Sequence, residues 1–167
     1  MDFSRLDRNR VILGGISGAL LAFSLLFLEW YSLEPNPQRP ADGAGVADAW
    51  VCGTGDFSCT GFETFTINRW LLLLAAFSPL ILAWILVRGH KLSWAPGELT
   101  MVAGFAAMVL IAYNGIIDKP GTGVGEIGVS LGFGYWLAIA ASIGIAATGF
   151  LRSQAGQKRE RKAPGTV

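Results

Sequence analysis

The sequence predicts an all-α membrane protein: a bundle of four transmembrane helices with a disulfide-stapled extracytoplasmic loop after helix 1. Three observations predict it. The 167 residues are 52% apolar and 15% charged, against roughly 25% charged in an average soluble domain, and the mean hydropathy is +0.48. Four continuous apolar runs of 18 to 23 residues divide the chain, and a helix crosses a hydrocarbon core with about 20. Ten of the 13 Lys and Arg fall on alternate connecting segments, the asymmetry that orients membrane helices. So much Leu, Ile, Val and Phe excludes disorder. Continuous runs exclude a barrel, which alternates in short segments. Only a helix satisfies its own backbone in lipid.

Residues 1–10 form a cytoplasmic tail carrying Arg5, Arg8 and Arg10. Val11–Trp30 is the first span; it ends in Leu28-Glu29-Trp30-Tyr31 with no small-x-small cleavage site, so it reads as an uncleaved helix. Residues 31–69 are the extracytoplasmic loop or cap. Its Pro- and Gly-rich first half, from Pro35 through Gly45, reads as extended. In its second half Trp50, Val51, Phe57, Phe62, Phe65 and Ile67 alternate loosely with Thr, Ser and Gly, as in a short hairpin or cap. Phe62–Ile67 fits either a strand or an extended lead-in to helix 2.

Trp70–Val87 is the second span, with a kink expected at Ser78-Pro79 because Pro79 removes a backbone donor. Residues 88–98 are a cytoplasmic loop with Arg88 and Lys91, Leu99–Ile117 is the third span, and 118–128 is an outer loop. Val129–Leu151 is the fourth span, and 152–167 a basic tail with Lys158, Arg159, Arg161 and Lys162. Only Arg39, Arg69 and Lys119 lie on the outer side. Both termini are therefore expected in the cytoplasm of a multi-pass plasma-membrane protein. Trp30, Tyr31, Trp70 and Trp94 are expected at headgroup depth.

Cys52 and Cys59 are the only cysteines, and both fall in the outer loop. They are expected to pair as a structural staple in an oxidising compartment; the spacing lacks the Cys-x-x-Cys pattern of a redox pair. His90, the one histidine, is expected on the opposite side, so no metal site is predicted. Gly123-Val-Gly125-Glu-Ile-Gly128 matches a dinucleotide fingerprint by letter, but that motif works only between a strand and a helix of a βαβ unit. No cofactor, nucleic-acid partner or catalytic constellation is predicted.

Ionisable groups near the membrane are the remaining functional candidates. Glu29, at the end of span one, and Asn114 and Asp118, four apart on span three, either line an outward polar pocket or simply reach headgroups and water. Small residues at Gly14 and Gly18, at Gly128 and Gly132, and along Ala140, Gly144 and Thr148 mark close helix packing, inside the bundle or against a partner or second copy.

Leu28-Glu29-Trp30-Tyr31, Gly61-Phe62-Glu63-Thr64-Phe65, and the run from Ile117-Asp118-Lys119-Pro120-Gly121 through Val129, Gly132, Tyr135-Trp136-Leu137 to Ala147–Leu151 together resemble a family of small four-helix membrane proteins of actinobacteria and related high-GC bacteria. The resemblance implies a fold and no mechanism; many such proteins lack the cysteine pair. Trp30, Trp50-Val51-Cys52 and Cys59 are also similar in arrangement to claudin-type tetraspan proteins, without Gly-Leu before Trp50. That likeness reads as convergence on a stapled cap. The function expected is a non-enzymatic accessory or assembly subunit of a larger cell-envelope complex, with lipid and another membrane protein or a second copy as partners. The alternative is a small transporter, channel or ligand-binding protein using the outer polar cluster.

Overall fold

The computed structural model describes residues 8–34, 52, 58–88, 96–119 and 128–161. The expectations placed on Arg39, Trp50, His90, Trp94, the Gly123–Ile127 stretch and Lys162 lie outside these residues. Four helices are long and apolar enough to cross a membrane: α1 (Arg8–Phe27), α3 (Asn68–Val87), α4 (Pro96–Ala112) and α5 (Phe133–Arg161). A single helical turn, α2 (Gly61–Thr64), precedes α3, and α4 widens into a π-helical segment at Tyr113–Ile117. Three strands complete the described elements: β1 (Glu29–Glu34), β2 (Ser58–Thr60) and β3 (Gly128–Leu131).

Packing runs around a ring. α5 lies against α4 and α1, α3 lies against α1 and α4, and α1 and α4 sit on the diagonal. The contacts depend on small residues, which let helix backbones approach closely. At Gly18 an added Cβ would fall on the Ala76 carbonyl oxygen, and at Gly14 it would sit 3.2 Å from Pro79 Cβ and 3.3 Å from Thr148 Oγ1. α4 and α5 meet in the same way at Gly104 against the Ala146 backbone and Gly149 against the Met101 backbone.

Large apolar residues cover the outside as well as the core, and several hydroxyls lie inside. Ser17, Ser24, Thr100, Ser142 and Thr148 are buried, while Leu13, Ile16, Leu74, Phe105, Trp136 and Phe150 are exposed. Two of the buried hydroxyls bond back along their own helix at little cost: Ser142 donates to Ile139 O and Thr148 to Ile145 O, each at 2.8 Å. Ser78 does something more specific. Pro79 has no N–H for the carbonyl four residues earlier, Ala75, and the Ser78 hydroxyl donates to that carbonyl at 2.8 Å. The helix therefore passes through Pro79 unbroken.

The all-α expectation needs correction at one end of the bundle, where the strands form a three-stranded antiparallel sheet in the order β2-β1-β3. The first span was expected to run to Trp30, but α1 stops at Phe27; the last bond, Leu28 N–H to Ser24 O, is 3.2 Å, and Glu29 opens β1. The fourth span was expected from Val129, but Gly128–Leu131 is strand and the helix begins at Phe133. Leu99–Ile117 gains three residues at its start and ends as a π segment. Phe62–Ile67 is neither strand nor simple lead-in, since α2 covers its first half. The register pairs Tyr31 with Leu131, Ser32 with Ser130 and Leu33 with Val129 on one side, and Tyr31 with Cys59 on the other. The β1–β2 register shifts between Glu29 and Tyr31. Trp30 is the additional residue in that shift, which accounts for consecutive side chains, Trp30 and Tyr31, both being fully buried.

Candidate functional site

The most elaborated region is where the sheet meets the helix ends. Its centre is four rings: Trp30, Tyr31, Phe65 and Tyr135. Trp30 stands edge-on to Phe65 at 5.9 Å and to Tyr135 at 6.1 Å, and Tyr31 stands edge-on to Phe65 at 6.1 Å, the perpendicular geometry that aromatic quadrupoles favour. Both Trp30 and Tyr31 are fully buried within the protein. Their polar tips are provided for. Trp30 Nε1 donates to Ser24 O at 2.9 Å and to Ser24 Oγ at 3.1 Å, and Ser24 Oγ donates to Gly134 O. That relay ties the end of α1, β1 and the first turn of α5 together. Tyr31 Oη donates to the Asn114 carbonyl at 3.3 Å inside the π segment, where the wide turn is closed by Asp118 N–H on Tyr113 O. Burial, with the Tyr135 phenol nearby, pushes the Tyr31 pKa well above its ordinary value. Tyr135 Oη is buried and has no partner among the described residues, and its ring rests directly on Gly115.

The staple is present. Cys52 and Cys59 form a disulfide with Cα atoms 5.0 Å apart. It anchors β2, and Thr64 Oγ1 donates to Cys59 Sγ at 3.3 Å. Next to it Thr60 and Glu63 make a capping box that starts α2, with Glu63 Oε2 accepting from Thr60 N–H at 2.9 Å and Thr60 Oγ1 accepting from Glu63 N–H at 3.3 Å. The spacing Thr-x-x-Glu is a readable helix-start signal that the strand-or-lead-in reading of this stretch passed over.

Two of the three polar residues are held by different partners. Glu29 Oε1 accepts from Ser58 Oγ at 2.9 Å across the β1–β2 pair. Asn114 Nδ2 donates back to Leu110 O at 2.7 Å. Asp118 is exposed beyond the π segment. Glu29 lies on β1, Asn114 in the π segment and Asp118 just past it. Among the described residues no group of three His, Cys, Asp or Glu side chains is gathered as metal ligands would be.

The packing residues divide. Gly14 and Gly18 lie at helix contacts, and Gly144 faces Ser17, whose Oγ would be 2.6 Å from an added Cβ. Gly128 and Gly132 are not a helix-packing pair: Gly128 starts β3, and Gly132 is the strand-to-helix joint, pressed on the Glu29 carbonyl and donating its N–H to Trp30 O at 2.8 Å. Ala140 points outward, because the inward face of α5 runs through Ala138, Ala141, Ile145 and Thr148. Gly104, Gly115 and Gly149 also carry close contacts but form no G-x-x-x-G pattern, because none has a glycine four residues away. Comparison with known proteins adds no relative: the chain matches no family model, no curated sequence and no solved structure.

Proposed function

We propose that the protein is a small integral membrane protein without catalytic activity, an accessory or assembly subunit of a larger cell-envelope complex, with both termini cytoplasmic and the sheet on the outer face of the plasma membrane. The motifs that resemble the small four-helix membrane proteins of actinobacteria suit this reading. The observation that carries it is the division of labour among residues. Small residues are used up at close backbone contacts inside the bundle, as at Gly18 and Gly104, and the hydroxyl groups of Ser142 and Thr148 there are satisfied locally. Many bulky apolar side chains, among them Leu13, Ile16, Leu74, Phe105, Trp136 and Phe150, face outward, as on a lipid- or partner-facing surface. The sheet cap, stapled by Cys52–Cys59, offers a rigid outer surface. The transporter reading has less support, since Glu29 and Asn114 each bond to other groups, the Ser58 hydroxyl and the Leu110 carbonyl.

Purification in mild detergent tests the proposal. A membrane protein partner retained at fixed stoichiometry, or a defined homo-oligomer, is the expected result. A monomer that instead binds or moves a small solute, with Glu29→Gln abolishing the effect, overturns it in favour of the alternative.

A further inference from the structure

We infer that Arg69 and the outward stripe of α3 below it form a binding site for one anionic phospholipid of the outer leaflet, the guanidinium taking the lipid phosphate. The inference rests on the membrane reading above. Arg69 is the second residue of α3 and lies between two rings, with Cζ 4.9 Å from the Phe62 centroid and 5.6 Å from the Trp70 centroid. Phe62 and Trp70 are themselves edge-on at 5.8 Å. This holds the guanidinium plane in place. One of its donors, Nη1, reaches the Phe62 carbonyl at a long 3.4 Å, and Nε is buried with no acceptor among the described residues.

No described carboxylate neutralises this charge. The nearest in sequence, Glu63, has its Oε2 taken by Thr60 N–H and Thr60 Oγ1 at 2.9 and 3.0 Å. Glu29 is taken by Ser58. The buried Nε is closed to an outside ligand, so it is the terminal Nη groups of this oriented guanidinium that would give a phosphate two N–H bonds.

The surface below the guanidinium decides which phosphate. Trp70, Leu74, Phe77 and Ile81 are spaced four, three and four apart, so they share one helix face, and all four are exposed, Trp70 at 59% and Leu74 at 61%. From Trp70 to Ile81 the helix rises about 16 Å, which is half of the roughly 30 Å hydrocarbon core. A charged head position followed by one leaflet's depth of apolar stripe has the dimensions of a phospholipid, not of a free anion. Ile67, 72% exposed beside the ring pair, extends the ledge at head level.

Native mass spectrometry of the full chain in detergent tests this, with phosphatidylglycerol and phosphatidylcholine added at equal concentration. Phosphatidylglycerol should be retained about fivefold over phosphatidylcholine, the ratio that ~1 kcal/mol per interfacial charge produces. Arg69→Gln should remove the preference, and Arg69→Lys, which keeps charge but loses the fork, should lower it. Arg88→Gln should leave it intact, because Arg88 stacks on Trp84, 4.7 Å away, at the far end of the same helix. Equal retention of the two lipids by the wild type, an unchanged preference in Arg69→Lys, or loss in Arg88→Gln alone each overturns the site, and the wild-type and Lys measurements stand even if Arg69→Gln does not fold. Displacement of the lipid by millimolar inorganic phosphate overturns the lipid as the ligand. Flotation with phosphatidylcholine vesicles is the separate check on the membrane reading: a protein that floats but shows no preference loses only the site.

Discussion

Two buried phenols and a glycine set the residue-scale behaviour of the sheet end. Tyr31 is uncharged in the fold, with its pKa raised above the ordinary 10.0. Its contribution to stability is therefore complete below about pH 10 and is lost as pH rises, because only the unfolded chain then releases the proton. The melting temperature in detergent should fall between pH 9.5 and 11 by more in the wild type than in Tyr31→Phe (an expected window of about one unit around the free phenol value). At neutral pH the Phe variant should lose about 1 kcal/mol for the bond to Asn114 O. Gly115 is the other sensitive position. A Cβ there would lie within the Tyr135 ring, so Gly115→Ala should cost about 1–3 kcal/mol by overpacking. Tyr135→Ala should remove the added penalty in a double-mutant cycle, and an additive result would mean that the π segment yields instead. None of this was legible in the sequence. Tyr135 was one residue of a resemblance motif, and Gly115 had no partner until α4 and α5 were packed.

At the scale of elements, the sheet differs from what its local sequence indicates, and α3 contains a proline whose compensation the sequence does not specify. Reading Cys52 and Cys59 as a staple needed only their spacing and compartment, and the pair is bonded. Replacing both with Ser should cost about 2.5 kcal/mol by the loop-entropy argument, and the loss should appear as faster amide exchange in β1 and β2, with α1, α4 and α5 protected as before. Uniform loss across the helices would show that the staple supports the whole bundle. α3 contains a proline but no break, because Ser78 supplies the donor that Pro79 lacks. Ser78→Ala should thus lower thermal stability by about 1–2 kcal/mol through the stranded Ala75 carbonyl, whereas Ser153→Ala, whose hydroxyl bonds Phe150 O near the exposed end of α5, should have little effect in the same melt. The Ser-Pro pair was visible in the sequence, and it indicated a kink; the compensation depends on a rotamer, which local propensity does not specify.

For the whole molecule, the charge asymmetry and the placement of the sheet make a single topological prediction. Reporter tags at Met1 and Val167 should both read cytoplasmic, and a tag at Gly43 should read outside. Protease digestion of the C-terminal tail on intact cells would reverse the assignment. Orientation bears directly on the lipid site, since Arg69 and the sheet share one end of the bundle while Arg88 marks the other.

Hydropathy and length determined by themselves that the chain makes four long apolar helices, because a run of about 20 apolar residues has few other ways to bury its backbone polar groups. Cysteine spacing determined the staple. Only tertiary structure decided where α1 and α5 begin and end relative to the strands. Glu29–Glu34 and Gly128–Leu131 are far apart in sequence, and each reads locally as the margin of a helix. They become strands because each offers the other its unpaired N–H and C=O groups once the bundle brings their ends together. The same holds for the aromatic centre: Trp30, Phe65 and Tyr135 come from three separate segments, and no local pattern encodes which rings will meet once the helices have packed.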